Sequence, residues 1–270
     1  AADGEIPSYL IQDLSQTTLA GKPGRYYGRC ALQELPDGTW FLVYHESGHH
    51  WRYEPQSPPT LGGVLHAKFS VDCGRTWSDE DCHVDGKPVV GFPAWPKGAE
   101  PDNPAFEPGE PWAYLAPNGD LVVHSLKYNF NTKRWDGTWQ MRSSDEGKTW
   151  STMRKIDFAG IDNDADIWAI DDHFIHQGTI YLGAREVRTL WSGMRNLLLK
   201  STDNGHTWQL VSYVPLEMGV TTEQGLEYLG GETILCVLNS VDRLHTYQTY
   251  SRDLGKTWEP LADIAPQTGI

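Results

Sequence analysis

One eight-residue pattern constrains this chain more than any other feature: Ser-x-Asp-x-Gly-x-Thr-Trp, present four times, at residues 70–77, 143–150, 201–208 and 251–258. Five fixed positions recurring four times mark a structural repeat. The chemistry of the pattern is that of a turn between strands. Ser and Asp side chains bond to backbone groups that the turn leaves without partners. Gly supplies a backbone conformation with positive φ. Thr and Trp are expected to open the next strand, with the indole wedged between layers. The Asp residues at 72, 145, 203 and 253 are 73, 58 and 50 residues apart, room for one four-stranded antiparallel sheet per repeat.

Sheets repeated in this way pack radially, so the expected fold is all-β: a β-propeller of four-stranded antiparallel blades, one domain over residues 1–270, with four blades visible. Apolar alternation and turn signals place the strands. Blade one takes 27–34, 39–46 and 64–72, turning at Pro36-Asp37-Gly38. Blade two takes 112–116, 121–128 and 139–145, turning at Pro117-Asn118-Gly119. Blade three takes 166–170, 179–187 and 196–203; blade four takes 225–229, 233–240 and 246–253. Each blade is expected to close with a strand starting at its repeat's Trp. Residues 8–18 supply one more strand, and 85–109 read as an inter-blade loop.

A formal net charge of -14 argues against nucleic acid and anionic membrane as partners. Twelve Trp and twelve Tyr suit either packing between sheets or a lining for sugar rings. No apolar run approaches the roughly 18 residues of a membrane span. Cys73 and Cys82 are close enough in sequence for a disulfide between neighbouring strands, and buried free thiols fit the four cysteines equally well. Export is the expected localisation. No cofactor is called for, and the sequence does not indicate an oligomeric state.

With these four Asp-box repeats, and with Tyr27-Gly28-Arg29-Cys30-Ala31 ahead of the Pro36-Asp37-Gly38 turn, the chain resembles the sialidase (neuraminidase) superfamily of BNR-repeat propellers. The resemblance implies a glycan-active hydrolase of exo-sialidase type acting on a terminal acidic sugar, and six blades when complete. Arg29 falls at the first carboxylate-binding Arg of that family, where a guanidinium matches a sugar carboxylate. Glu223, in Thr222-Glu223-Gln224, falls where a Glu polarises the catalytic Tyr, Arg243 near the second Arg, and Glu110 where an acid enters blade two. Tyr27, beside Arg29, is a further substrate-binding candidate. The stretch 51–63, where the family's general-acid Asp belongs, has Glu54 as its sole acid. The third Arg and the nucleophilic Tyr have no match within these 270 residues.

Each residue has a plainer alternative. Arg29 could pair with a structural acid, Arg243 could be a solvated loop charge, and Glu110 a surface acid. The segment Tyr44-His45-Glu46-Ser47-Gly48-His49-His50 offers His45 and His49 as a binding and a proton-transfer group. That leaves open a polysaccharide lyase acting on uronates, and a non-catalytic sugar-binding propeller also stands. Arg185 is a further substrate-binding candidate, or half of an ion pair within blade three. The acidic run 162–166 lacks the spacing of a calcium loop, and no metal site is assigned.

Overall fold

A computed structural model describes residues 26–47, 64–78, 83–84, 87–88, 106–129, 134–161, 165–188, 193–216 and 219–265. Blade one is β1 (Tyr26–Glu34), β2 (Trp40–Ser47) and β3 (Val64–Ser70), followed by a short ribbon of β4 (His83–Val84) and β5 (Lys87–Pro88). Blade two is β6 (Phe106–Leu115), β7 (Leu121–Asn129), β8 (Arg134–Ser143) and β9 (Arg154–Lys155), paired in that order. Blade three contains β10 (Phe158–Ala159), β11 (Asp166–Trp168), β12 (His173–His176), β13 (Thr179–Val187), β14 (Met194–Ser201) and β15 (Trp208–Tyr213). Its order is β10-β15-β14-β13-β11, with β12 also on β13. Blade four is β16 (Thr221–Gly230), β17 (Thr233–Ser240), β18 (Thr246–Ser251) and β19 (Ala262–Asp263). All pairings are antiparallel except β10 with β15. Among the described residues no helix is long and apolar enough to cross a membrane.

The core is divided among the interfaces between blades, because successive residues of a strand face opposite sides of its sheet. Leu121 and Val123 of β7 join Phe41, Leu65 and Phe69 of blade one. Val122, between them, joins Leu182, Leu197 and Trp208 of blade three. Leu198 then faces the other way, into Ile234, Cys236 and Leu238 of blade four. β7 is buried at every position from Leu121 to Lys127, since it is covered on both faces.

The Asp-box turns behave as the sequence requires, with an added function. In the third box the Asp203 carboxylate accepts from the Thr207 amide at 2.9 Å and the Thr207 hydroxyl at 2.6 Å, while Ser201 Oγ donates to it at 2.8 Å. The residue before each box glycine also has positive φ: Cys73, Glu146, Asn204 and Leu254. Each later glycine abuts the preceding blade. A Cβ on Gly147 would meet the Phe69 ring, on Gly205 the Tyr114 hydroxyl, and on Gly255 the Leu198 side chain. The boxes are therefore turns and blade-to-blade contacts at once.

The strands depart from expectation in three ways. Only β15 starts at its box Trp; β9 and β19 begin four residues later, at Arg154 and Ala262. Part of the expected loop 85–109 is strand, because β6 starts at Phe106. The inner strand of blade three is split into β11 and β12. Residues 8–18 and Cys82 lie outside the described residues.

Candidate active site

The first strand of every blade breaks its register, and the break holds chemistry-bearing residues. In β1, Gly28 pairs with His45 and Cys30 with Tyr44, leaving Arg29 without a partner across the ladder. In β6, Gly109 pairs with Leu126 and Trp112 with His124, leaving Glu110 and Pro111 against Ser125 alone. In β16, Thr222 and Glu223 stand against Asn239. In blade three, Trp168 pairs with Arg185 and His173 with Leu182, so residues 169–172, which include Asp171 and Asp172, bulge over two positions. Bulges re-aim side chains out of strand alternation. Arg29 and Glu110 adopt φ of +27° and +45°, unusual backbone for residues with a Cβ.

The four bulges converge. Arg29 Nε lies 3.6 Å from Glu110 Oε2, Nη1 lies 3.7 Å from Asp171 Oδ1, and Nη2 lies 3.5 Å from Glu223 Oε1. One guanidinium from blade one thus faces one carboxylate from each of the other three. Burial works against its charge, but Glu110, Asp171 and Glu223 more than offset this, and its pKa lies above the ordinary value. Asp171 also accepts from Arg185 Nη2 at 3.1 Å. Burial lifts the Asp171 carboxyl to about 6 despite both arginines. Glu223 Oε2 accepts from Asn239 Nδ2 at 2.7 Å and lies 3.8 Å from Arg243 Nη1. The Glu110 and Glu223 side chains are 24% and 39% exposed while Asp171 is 2% exposed, so the two glutamates can meet a ligand directly.

The bulges are held by polar groups from neighbouring strands and blades. Ser125 Oγ donates to Gly109 O at 2.8 Å beside Glu110. His124 Nδ1 bonds Ala169 O at 2.8 Å, and Thr138 Oγ1 accepts from the Ala169 amide at 2.9 Å, fixing the start of the blade-three bulge. Asn196 Nδ2 donates to Thr222 O at 2.8 Å, and Gln224 Nε2 donates to Ala184 O at 2.8 Å. Asp172 Oδ2 accepts from the Leu226 amide, and burial raises its pKa. Such pins fix side chains on rigid elements, as a precise site needs.

Of the residues singled out in the sequence, Arg29, Glu110, Glu223 and Arg243 meet in this cluster, and Arg185 joins it through Asp171. Glu186, next to Arg185, is fully buried and pairs with Arg188 and with Arg195 across the ladder, so the ion-pair expectation for this strand also holds. Tyr27 packs its ring against Tyr44, with centroids 6.2 Å apart. His45 is 1% exposed, inside β2. His49 and Glu54 lie outside the described residues.

Sequence reasoning missed Tyr26, Asp171, Asp172 and Asn239. The Tyr26 ring lies over Gly28, where any Cβ would collide with it. Burial and then the Glu110 charge raise its pKa, with Arg29 opposing. One signal was available for Glu110: Arg29 and Glu110 stand at the same distance ahead of their turn glycines, Gly38 and Gly119. Blade three hides Asp171 because its bulge is longer.

The fold is that of a sialidase-type β-propeller with Asp-box turns. Residues 99–268 match the family described as BNR repeat-like domain, more than half of the chain, and the protein belongs to that family. The Hadza microbial sialidase Hz136 is similar in structure, with TM-score 0.64 at 17% identity over 86% of this chain and 45% of that one. The K499G mutant of NanB sialidase from Streptococcus pneumoniae gives 0.60 at 11% identity over 88% and 52%. The α-L-arabinanase of Penicillium chrysogenum, complexed with arabinobiose, gives 0.56 at 14% over 88% and 66%. Comparison with curated proteins finds none that matches. The chain spans about half the length of the two sialidases, and at these identities the likeness is one of fold.

Proposed function

We propose that this protein is a glycoside hydrolase whose reaction centre is the ring of acids around Arg29. The observation that carries this is the placement of Glu110 and Glu223, two partly exposed carboxylates on blades two and four, flanking one guanidinium. Glycosidic bonds are commonly cut by two carboxyl groups, one protonating the leaving oxygen and the other acting on the anomeric carbon or on a water. Glu223 is the better candidate for the second role. Asn239, Arg29 and Arg243 all face it, an arrangement that orients an ionised carboxylate. Glu110 faces one guanidinium where Glu223 faces two, and it is the candidate proton donor. Asp171 is too buried to touch substrate and acts by holding Arg29 and Arg185. The similarity to solved sialidases and an arabinanase supports carbohydrate as the ligand class.

Sialoside cleavage is the finer form of this activity that the family resemblance implies. It needs a carboxylate seat on guanidinia that already face Glu223. Assays of the wild type, Glu110→Gln and Glu223→Gln against chromogenic glycosides, sialosides included, test the proposal. Turnover by the wild type with a loss of about 100-fold or more in each variant is expected. Full activity in both variants would refute the assignment.

A further inference from the structure

We propose that the centre seats an uncharged, hydroxyl-rich sugar ring and discriminates against sugars that present a carboxylate to Arg29. This inference rests on the glycoside-hydrolase reading and adds the class of sugar to it.

A carboxylate binds a guanidinium best through two parallel N–H donors on one edge of the planar fork. Here each nitrogen of Arg29 faces a different acid: Nε Glu110, Nη1 Asp171 and Nη2 Glu223. A ligand carboxylate on any edge would sit between two protein carboxylates, and repulsion from two like charges outweighs attraction to one guanidinium at similar range. Neither of the other arginines is clear of the acids. Arg185 is 4% exposed and paired with Asp171, and Arg243, though 61% exposed, has Glu223 Oε2 3.8 Å from its Nη1. Four carboxylates, Glu110, Asp171, Asp172 and Glu223, gather near three guanidinia, Arg29, Arg185 and Arg243.

The same arrangement suits a neutral ring. Ionised carboxylates only accept hydrogen bonds and guanidinia only donate, whereas a sugar hydroxyl does both. The separations of 3.5–3.7 Å around Arg29 exceed the 2.7–2.9 Å typical of a tight charge-assisted bond, so the guanidinium is centred among the acids without closing on any of them. Hydroxyl groups can then bridge Arg29 to Glu110 and Glu223, accepting from one and donating to the others.

The test is binding, measured by saturation-transfer NMR and calorimetry with matched methyl glycosides: galactoside against galacturonoside, glucoside against glucuronoside, and arabinofuranoside against a methyl sialoside. The expected result is that the tightest ligand is neutral and that its acidic counterpart binds at least about tenfold more weakly. Glu223→Gln, which removes one acid from the ring, is expected to narrow that gap. Equal or tighter binding of the acidic member overturns the inference while leaving the hydrolase reading intact. An unchanged gap in Glu223→Gln also overturns it. Failure of the wild type to bind any of these sugars overturns both together.

Discussion

Arg29 Nη2 stands 3.5 Å from Glu223 Oε1 although 194 residues separate them, and this contact joins the first described blade to the fourth. Neither residue belongs to regular strand pairing. Both sit in bulges that deny them a ladder partner and turn them toward each other.

Asn239 is the residue through which Glu223 can be perturbed without touching its charge. It stands directly across the bulge and donates to Oε2 at 2.7 Å. Asn239→Ala is expected to leave the fold intact and to lower kcat about tenfold or more, with a smaller change in KM, because the carboxylate loses its orientation. Steady-state kinetics and a melting curve check this. Asn239→Asp should be worse, since it sets a second acid against Glu223.

Stability should fall as pH drops from about 6.5 to 4. Burial holds His124 and His173 at about 4, so both stay neutral in the folded state while the unfolded chain takes up protons. Trp112 Nε1 also donates to His173 Nδ1, which protonation there would break. Each histidine contributes roughly 3 kcal/mol that is present above its unfolded pKa and lost as pH falls through the folded one. Asp171 has the opposite sign: its raised pKa of about 6 gives stability below its unfolded value, lost as pH rises through 6. Two histidines outweigh one aspartate. Urea titrations between pH 4 and 7 should show a net loss on acidification, steeper in Asp171→Asn, which lacks the opposing contribution.

Two turn glycines should differ in cost for a reason that φ alone does not supply. Gly38 and Gly205 have φ of +84° and +80°. A Cβ on Gly38 meets nothing within 4 Å, whereas on Gly205 it strikes the hydroxyl of the buried Tyr114. Gly38→Ala should cost about 1 kcal/mol from backbone strain. Gly205→Ala should cost about 1–3 kcal/mol more from overpacking. Denaturant midpoints of the two variants separate the contributions.

The Asp-boxes should matter to stability and not to turnover. Hydrogen bonds from Thr207 and Ser201 hold Asp203 at about 2 even though partial burial pushes the other way. Asp203→Ala is expected to destabilise by about 1–3 kcal/mol through the loss of those bonds. The kcat of the protein that remains folded should be unchanged. A large fall in kcat at full stability would place the box near the chemistry.

The blades were legible because what makes them is local. Each box closes on itself within a few residues, as in Ser201, Asp203 and Thr207, so its signature survives in linear sequence. Arg29, Glu110, Glu223 and Arg243 were also within reach, through a family resemblance and turn spacing. Asp171 was not. Its strand breaks over four residues, and nothing in Ile170-Asp171-Asp172-His173 distinguishes an acid paired with Arg29 and Arg185 from one in an ordinary turn.

The sequence by itself determined four repeated turns, hence all-β blades and membership of an Asp-box propeller family, because hydrogen bonds over four residues need no tertiary context. Only the tertiary structure decided the charge of the centre. Whether Arg29 is free to hold an anion depends on which side chains from three other blades end beside it, and that is set by packing between sheets far apart in the chain. The answer is a guanidinium surrounded by Glu110, Asp171 and Glu223.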